Sequence, residues 1–206
     1  MRRPDPWSLL ARGVTDPRVR EAMLAVPRTA FVDDDLAAHA DEDGPLPIGE
    51  GQTISQPLVV ALMAQALELE PGDRALEVGA GSGYAAAVLS RLAARVDAVE
   101  VREALARRAA ANLAAAGIAN VAVHHADGTA GWPAGAPYDA ISVAAGGPRV
   151  PAALRDQLAP GGRLVMPVGR RPERQRLVRV RRGPEGEEGV EDLGIPVRFV
   201  PLVSED

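Results

Sequence analysis

The sequence predicts an α/β domain: a largely parallel sheet covered by helices on both faces. Two patterns carry that expectation. From Pro57 onward, short apolar runs alternate with helix-forming segments, and a strand–helix–strand step of this kind lays its two strands parallel. A glycine-rich turn, Gly79-Ala80-Gly81-Ser82-Gly83, then joins the first of these strands to the helix behind it. The chain of 206 residues is long enough for one substantial core. No internal repeat divides it, so residues 1–206 are read as a single domain with a short helical N-terminal segment.

Residues 7–26 read as helical, because Leu9, Leu10, Val14, Val19, Met23 and Val26 recur at roughly helical spacing. Val26 precedes Pro27 and so leaves the helical conformation. Residues 33–56 read as irregular, with Asp33-Asp34-Asp35, Asp41-Glu42-Asp43 and a Gly/Pro run over 44–49. A loop this long inside a compact domain is often functional. Pro57 suits a first helical turn, and 58–69 is rich in strong helix formers. Strand 74–78, helix 84–92, strand 96–101 and an alanine-rich helix over 102–115 follow. Next come short strands over 121–124 and 140–143, a short helix over 151–158 and a strand over 163–168. The tail differs, since the runs 174–180 and 197–200 have no helix between them, and 183–189 reads as an acidic hairpin tip.

Composition excludes several chemistries. There is no cysteine, hence no disulfide and no thiolate metal site, and no metal is expected. There is no lysine either, since all 23 basic residues are arginine, which removes Schiff-base chemistry and a P-loop lysine. A net charge of −5 argues against a nucleic-acid partner. No apolar run is long enough to span a membrane, and Arg2 and Arg3 are not followed by a signal-like apolar stretch, so a cytoplasmic protein is expected.

The cofactor motif is Glu77-Val78-Gly79-Ala80-Gly81-Ser82-Gly83-Tyr84. Glycines here permit a tight turn and close approach of backbone to ligand. The spacing is Gly-x-Gly-x-Gly rather than the Gly-x-Gly-x-x-Gly that cradles a pyrophosphate, and Glu77 stands two residues before the first glycine. That pattern is typical of class I, Rossmann-like methyltransferases, whose cofactor has no pyrophosphate. Glu100 ends the next strand, where a carboxylate accepts from ribose hydroxyls. Its plain alternative is a solvated strand-end acid. Asp127-Gly128 follows the third strand, at the same edge of the sheet, with a simple turn as the alternative. Together the three favour S-adenosylmethionine over NAD.

The chain resembles the protein-L-isoaspartate O-methyltransferase family from about residue 26 to 203. The resemblance rests on Val26-Pro27-Arg28, on Leu46-Pro47-Ile48-Gly49 and above all on Gly51-Gln52-Thr53-Ile54-Ser55-Gln56-Pro57. Further matches are Gly131-Trp132-Pro133, Pro137-Tyr138-Asp139-Ala140-Ile141, the segment 157–164 and Val197-Arg198-Phe199-Val200-Pro201-Leu202. The resemblance implies methyl transfer to the α-carboxylate of an isoaspartyl residue in a damaged protein or peptide, after which the ester collapses to a succinimide. It makes Ser55 the catalytic, active-site serine, with Thr53 and Ile54 beside the cofactor. It assigns Glu77, Gly79, Gly81, Gly83, Glu100, Asp127 and Gly128 to the cofactor pocket, and it places Gln175 near the active site. Because a carboxylate is already ionised at neutral pH, Ser55 reads as a positioning hydroxyl rather than a nucleophile. It also reads as a cap for the helix at Pro57.

Two positions depart from the family: Asp41 stands where tyrosine is common, and Ala144 where threonine is common. Both bear on substrate identity. The alternatives to a repair enzyme are a relative dedicated to an aspartate of one precursor peptide, a silent module that binds S-adenosylmethionine and peptide, and an NAD-dependent oxidoreductase. His124-His125 cannot readily chelate one ion from opposite faces of a strand and reads as structural, and Trp132 reads as loop packing. The arginines at 170, 171, 174, 176, 179, 181 and 182 read as a solvated edge, with a contact to acidic peptide as the alternative.

Overall fold

The computed structural model describes residues 7–9 and 11–204. The expectation for Met1 to Pro6, and Leu10 of the first helical stretch, lie outside the described residues. The first helix, α1 (Pro17–Ala25), starts ten residues later than the apolar spacing suggested. Asp16 caps it by accepting from the Arg18 N–H at 2.8 Å, and Pro17 fills the first turn, where a missing N–H costs nothing. Trp7, Leu9 and Val14 are buried nonetheless, as anchors of turns rather than one stripe of a helix.

The segment expected to be irregular is structured. It holds two 3₁₀ turns, Arg28–Phe31 and Asp34–His39, and a two-stranded antiparallel hairpin of β1 (Leu46–Gly49) and β2 (Gln52–Ile54). Gly49, Glu50 and Gly51 all have positive φ (85°, 52° and 68°), so the hairpin reverses through left-handed backbone that the two glycines adopt cheaply. Helix α2 (Pro57–Ala66) follows.

The main sheet has seven strands: β3 (Arg74–Val78), β4 (Arg95–Glu100), β5 (Val121–His125), β6 (Tyr138–Val143), β7 (Leu158–Val168), β8 (Gln175–Arg182) and β9 (Glu188–Val197). Their order is β5-β4-β3-β6-β7-β8-β9. The first five are parallel and the last two antiparallel. Helices α3 (Tyr84–Leu89), α4 (Glu103–Ala115) and α5 (Ala152–Asp156) provide crossovers. The final strand lies over 188–197 rather than 197–200, making β8–β9 a hairpin stapled by Arg179 to Glu191 and Arg176 to Asp192. Arg179 and Arg181 also meet Glu68, so much of the arginine run is an ion-paired edge.

The alternation of side chains along the strands builds two cores, one on each face. Ala75, Val96, Ala98, Ala140 and Val165 point to the side covered by α1 through α4. Leu76, Val99, Ile141, Leu164 and Met166 point to the side closed by Leu154 of α5 and by Trp132. On that second side, the buried Asp97 meets His124 Nε2 at 3.0 Å, and His124 stacks on Trp132 with centroids 4.0 Å apart.

Candidate active site

The chain order reverses between β3 and β6, and open parallel sheets leave a crevice beyond the strand ends at such a point. The glycine turn after β3 forms its floor. Gly79, Gly81 and Gly83 have φ of 90°, 54° and 89°. The N–H groups of Gly79 and Ala80 donate to the Val99 carbonyl at 2.9 and 3.0 Å, which ties the turn to β4.

A cavity of about 290 Å³ opens above this turn. Thr53, Ile54 and Ser55 line it from the hairpin side, Glu77, Gly79 and Gly81 from β3 and its turn, and Glu100 and Gly128 from the neighbouring strand ends. A Cβ on Gly128 would stand 2.6 Å from Val78 Cγ1, so glycine is required there by close packing. Two of the expected residues do not line the cavity. Gly83 precedes α3 with φ 89°, and a Cβ on it would meet the Ala109 carbonyl oxygen at 3.2 Å, so the close packing against α4 calls for glycine there. Asp127 Oδ1 accepts from both the N–H and the hydroxyl of Thr129 at 2.7 Å, which makes it a turn cap.

The two carboxylates in the cavity differ in kind. Glu77 is fully buried, and neither oxygen has a hydrogen-bond partner among the described residues. Burial pushes its carboxyl well above the ordinary glutamate value, and the nearby charge of Glu100 pushes the same way, against a smaller opposing pull from the Ala86 N–H, which does not reach hydrogen-bond geometry. Glu100 is held by backbone: the Gly81 N–H donates to Oε2 at 2.9 Å and the Arg102 N–H to Oε1 at 3.0 Å. Each oxygen of an ionised carboxylate keeps a further lone pair for another donor.

A second cleft opens beside the cavity and shares Thr53, Ser55, Ala144, Val200 and Pro201 with it. Ser55 is half-buried, and among the described residues its hydroxyl makes no hydrogen bond. It does not cap α2. Gln56 occupies the cap position, but its side chain does not cap the helix, and Asp43 does the capping: Oδ1 accepts from the Leu58 N–H at 3.0 Å and Oδ2 from Gln56 Nε2 at 2.8 Å. Asp41 is exposed. Ala144 lies at the junction of the two clefts, 3.6 Å from where a Gly79 Cβ would be.

Sequence reasoning missed the C-terminal wall. Residues 200–203 fold back over the cavity, with the Gly146 N–H donating to the Val200 carbonyl and the Leu202 N–H to the Gly146 carbonyl, both at 2.8 Å. Gln175 is buried and does not line either cleft; its Oε1 accepts from the Phe199 N–H at 2.7 Å, which fixes the segment that does. The apolar run 197–202 was the available signal, but nothing local says that it leaves the sheet.

A model of the family described as protein-L-isoaspartate(D-aspartate) O-methyltransferase matches residues 7–206. A protein-L-isoaspartate O-methyltransferase of Rhodopseudomonas palustris (strain HaA2) is 57% identical over 196 residues, covering 95% of this chain and 80% of that protein. One from Roseiflexus sp. (strain RS-1) is 58% identical over 195 residues, covering 95% of this chain and 88% of that protein. A solved protein-L-isoaspartate O-methyltransferase superposes with a TM-score of 0.83 at 31% identity, over 99% of this chain and 66% of that one, so this chain spans just under two thirds of its length. A Plasmodium falciparum structure assigned to the same enzymes, in complex with S-adenosyl-L-homocysteine, superposes with a TM-score of 0.82 at 27% identity, over 96% of each chain. With a family model spanning nearly every residue and relatives above half identity, the chain belongs to the protein-L-isoaspartate(D-aspartate) O-methyltransferase family.

Proposed function

We propose that this chain transfers the methyl group of S-adenosylmethionine to the carboxylate of an isoaspartyl residue in damaged protein or peptide. The observation that carries the reading is the placement of Ser55, an unpaired hydroxyl where a carboxylate-lined cavity meets a second, open cleft. The donor set fits the cofactor: an orphaned buried Glu77 suits an ammonium group, and Glu100, pinned by two amides, has lone pairs left for ribose hydroxyls. Bound S-adenosylmethionine supplies an electrophilic methyl group on a sulfonium, and an ionised substrate carboxylate needs no strong general base.

The protein's own work is then to hold and to orient. Glu77, Glu100 and the glycine turn fix one reactant, and Thr53, Ser55 and the 198–201 segment shape the place for the other. Gly83 and Asp127 act at one remove, through packing and a turn cap. A second reading, methylation of an aspartate in a dedicated peptide, drew on the departure at Asp41. That residue is exposed, so it puts no desolvated charge against an anionic acceptor. The partner is a peptide or protein, and a repair role places the enzyme in the cytoplasm. Among the described residues, no helix is long and apolar enough to cross a membrane.

The deciding experiment is a methyl-transfer assay on an isoaspartyl peptide and its aspartyl twin. Methylation of the isoaspartyl peptide alone is the expected result. Methylation of a specific aspartyl peptide with none on the isoaspartyl one would replace this reading with the second.

A further inference from the structure

We propose that Arg28 is a positioning residue of this site, one that holds Ser55 in place by clamping its backbone to the loop over 40–44. The inference rests on the reading of Ser55 as the hydroxyl that orients the acceptor. The Arg28 side chain is 1% exposed. Its Nη1 donates to the carbonyls of Ala40 and Glu42 at 3.0 and 3.2 Å, and its Nη2 to those of Gly44 and Ser55 at 2.8 and 3.1 Å. Three of the four acceptors thus lie on one irregular loop, and the fourth is the backbone of Ser55 itself.

Three further contacts make the clamp a unit. Asp43, in the middle of the clamped loop, caps α2 through Leu58 and bonds Gln56, so the chain on both sides of Ser55 is tied to that loop. The guanidinium carbon lies 6.0 Å from the centroid of the Tyr84 ring, and Tyr84 lines the cofactor cavity. Ser55 lines both the cavity and the cleft. The guanidinium therefore spans from the cavity wall to the residue at the junction.

The chemistry favours arginine specifically. A planar fork with five donors reaches carbonyls on two chain segments at once, whereas an ammonium is a point donor on a flexible stem. The guanidinium makes no hydrogen bond to a carboxylate, and Nε has no partner among the described residues. What offsets the burial of the cation is the four carbonyls, the Tyr84 ring and the nearby charges of Asp43 and Asp41, so its partners are loop backbone rather than a paired carboxylate. Fixed carbonyl positions are what it provides.

The test is a double-mutant cycle with R28K, S55A and the double variant. The readouts are kcat and KM on an isoaspartyl peptide, S-adenosylhomocysteine affinity by calorimetry, and folded fraction by thermal melting. We expect R28K to lower kcat at least tenfold per folded molecule while cofactor-product affinity stays within threefold. The double variant should be no slower than S55A, because both changes remove one function. If R28K does not fold, R28Q, which drops the buried charge and keeps an amide donor, should show the same kcat-selective loss. Normal kcat in R28K or R28Q beside an impaired S55A would overturn the inference and leave the Ser55 reading intact. So would additive losses, or a fall in affinity that matches the fall in kcat. Normal turnover in S55A would sink the Ser55 reading itself, and this inference with it.

Discussion

Replacing Glu77 by glutamine removes a fully buried acid with no hydrogen-bond partner, and the consequence is a change in pH dependence before any change in activity. Below about pH 4.5, the ordinary value for this side chain, the group is protonated in both the folded and unfolded protein and has no effect on pH dependence. Above it, the unfolded chain releases a proton that the folded protein keeps, because burial and the neighbouring Glu100 raise the folded value. This group's contribution to the stability of the ligand-free wild type then falls as pH rises, by up to about 1.4 kcal/mol per pH unit, until the raised folded value is passed. Glutamine has no such equilibrium, so E77Q lacks this contribution to the slope. Urea denaturation of both proteins at pH 5, 6 and 7 reads the difference directly. An ammonium group placed beside Glu77 stabilises its carboxylate, so binding of S-adenosylhomocysteine to the wild type should release a proton. Calorimetry in two buffers of different ionisation enthalpy measures that release, and E77Q should show none and bind more weakly by about 1–3 kcal/mol. Parallel stability profiles, or equal affinity with no proton release from the wild type, would refute the reasoning.

Glu100→Ala deletes an acceptor that the Gly81 and Arg102 amides hold in place, and cofactor affinity should weaken by about 1–3 kcal/mol in a folded protein; calorimetry with S-adenosylhomocysteine checks it. Ser55→Ala should lower turnover far more than cofactor affinity, and, because Asp43 rather than Ser55 caps α2, the melting temperature should hardly move. Asp43→Ala removes that cap and should cost about 1 kcal/mol of stability, read by denaturant titration. Burial opposes ionisation of Asp43, but hydrogen bonds from Gln56, Leu58 and Arg12 outweigh it and hold its carboxyl below the usual 3.8. Its contribution is therefore present above about pH 4 and is lost as pH falls through the depressed value, so the wild type and D43A should converge in stability in acid.

The two halves of this site were not equally legible. Glu77, Gly79, Gly81, Glu100 and Gly128 all lie at or shortly after strand ends, and in a parallel sheet every such end comes to the same edge, so reading the strands was enough to bring these residues together. The capping role assigned to Ser55 failed for the opposite reason. Its true holder, Asp43, is fifteen residues from the amide it caps, and no local rule connects the two. Residues 33–56 read as loop because strands of four and three residues are too short to show alternation, although Gly49-Glu50-Gly51 was a turn signal. The start of α1 was readable and missed, since Asp16-Pro17 is a cap followed by a first-turn proline.

Apolar spacing, glycine and proline act within a few residues, so the sequence by itself determined the alternating strands and helices, the left-handed turn after β3 and, through the segment 51–57, the family. What only the tertiary structure decided depends on groups far apart in the chain meeting in one place. It decided that the tail closes over the cavity through Gly146 and Gln175, and that Asp127 bonds to Thr129 and Gly83 packs on α4 beside the cavity lining. It also gathered four backbone carbonyls around Arg28. A buried guanidinium must find acceptors wherever the fold supplies them, and their positions are a property of the packed chain rather than of any stretch of it.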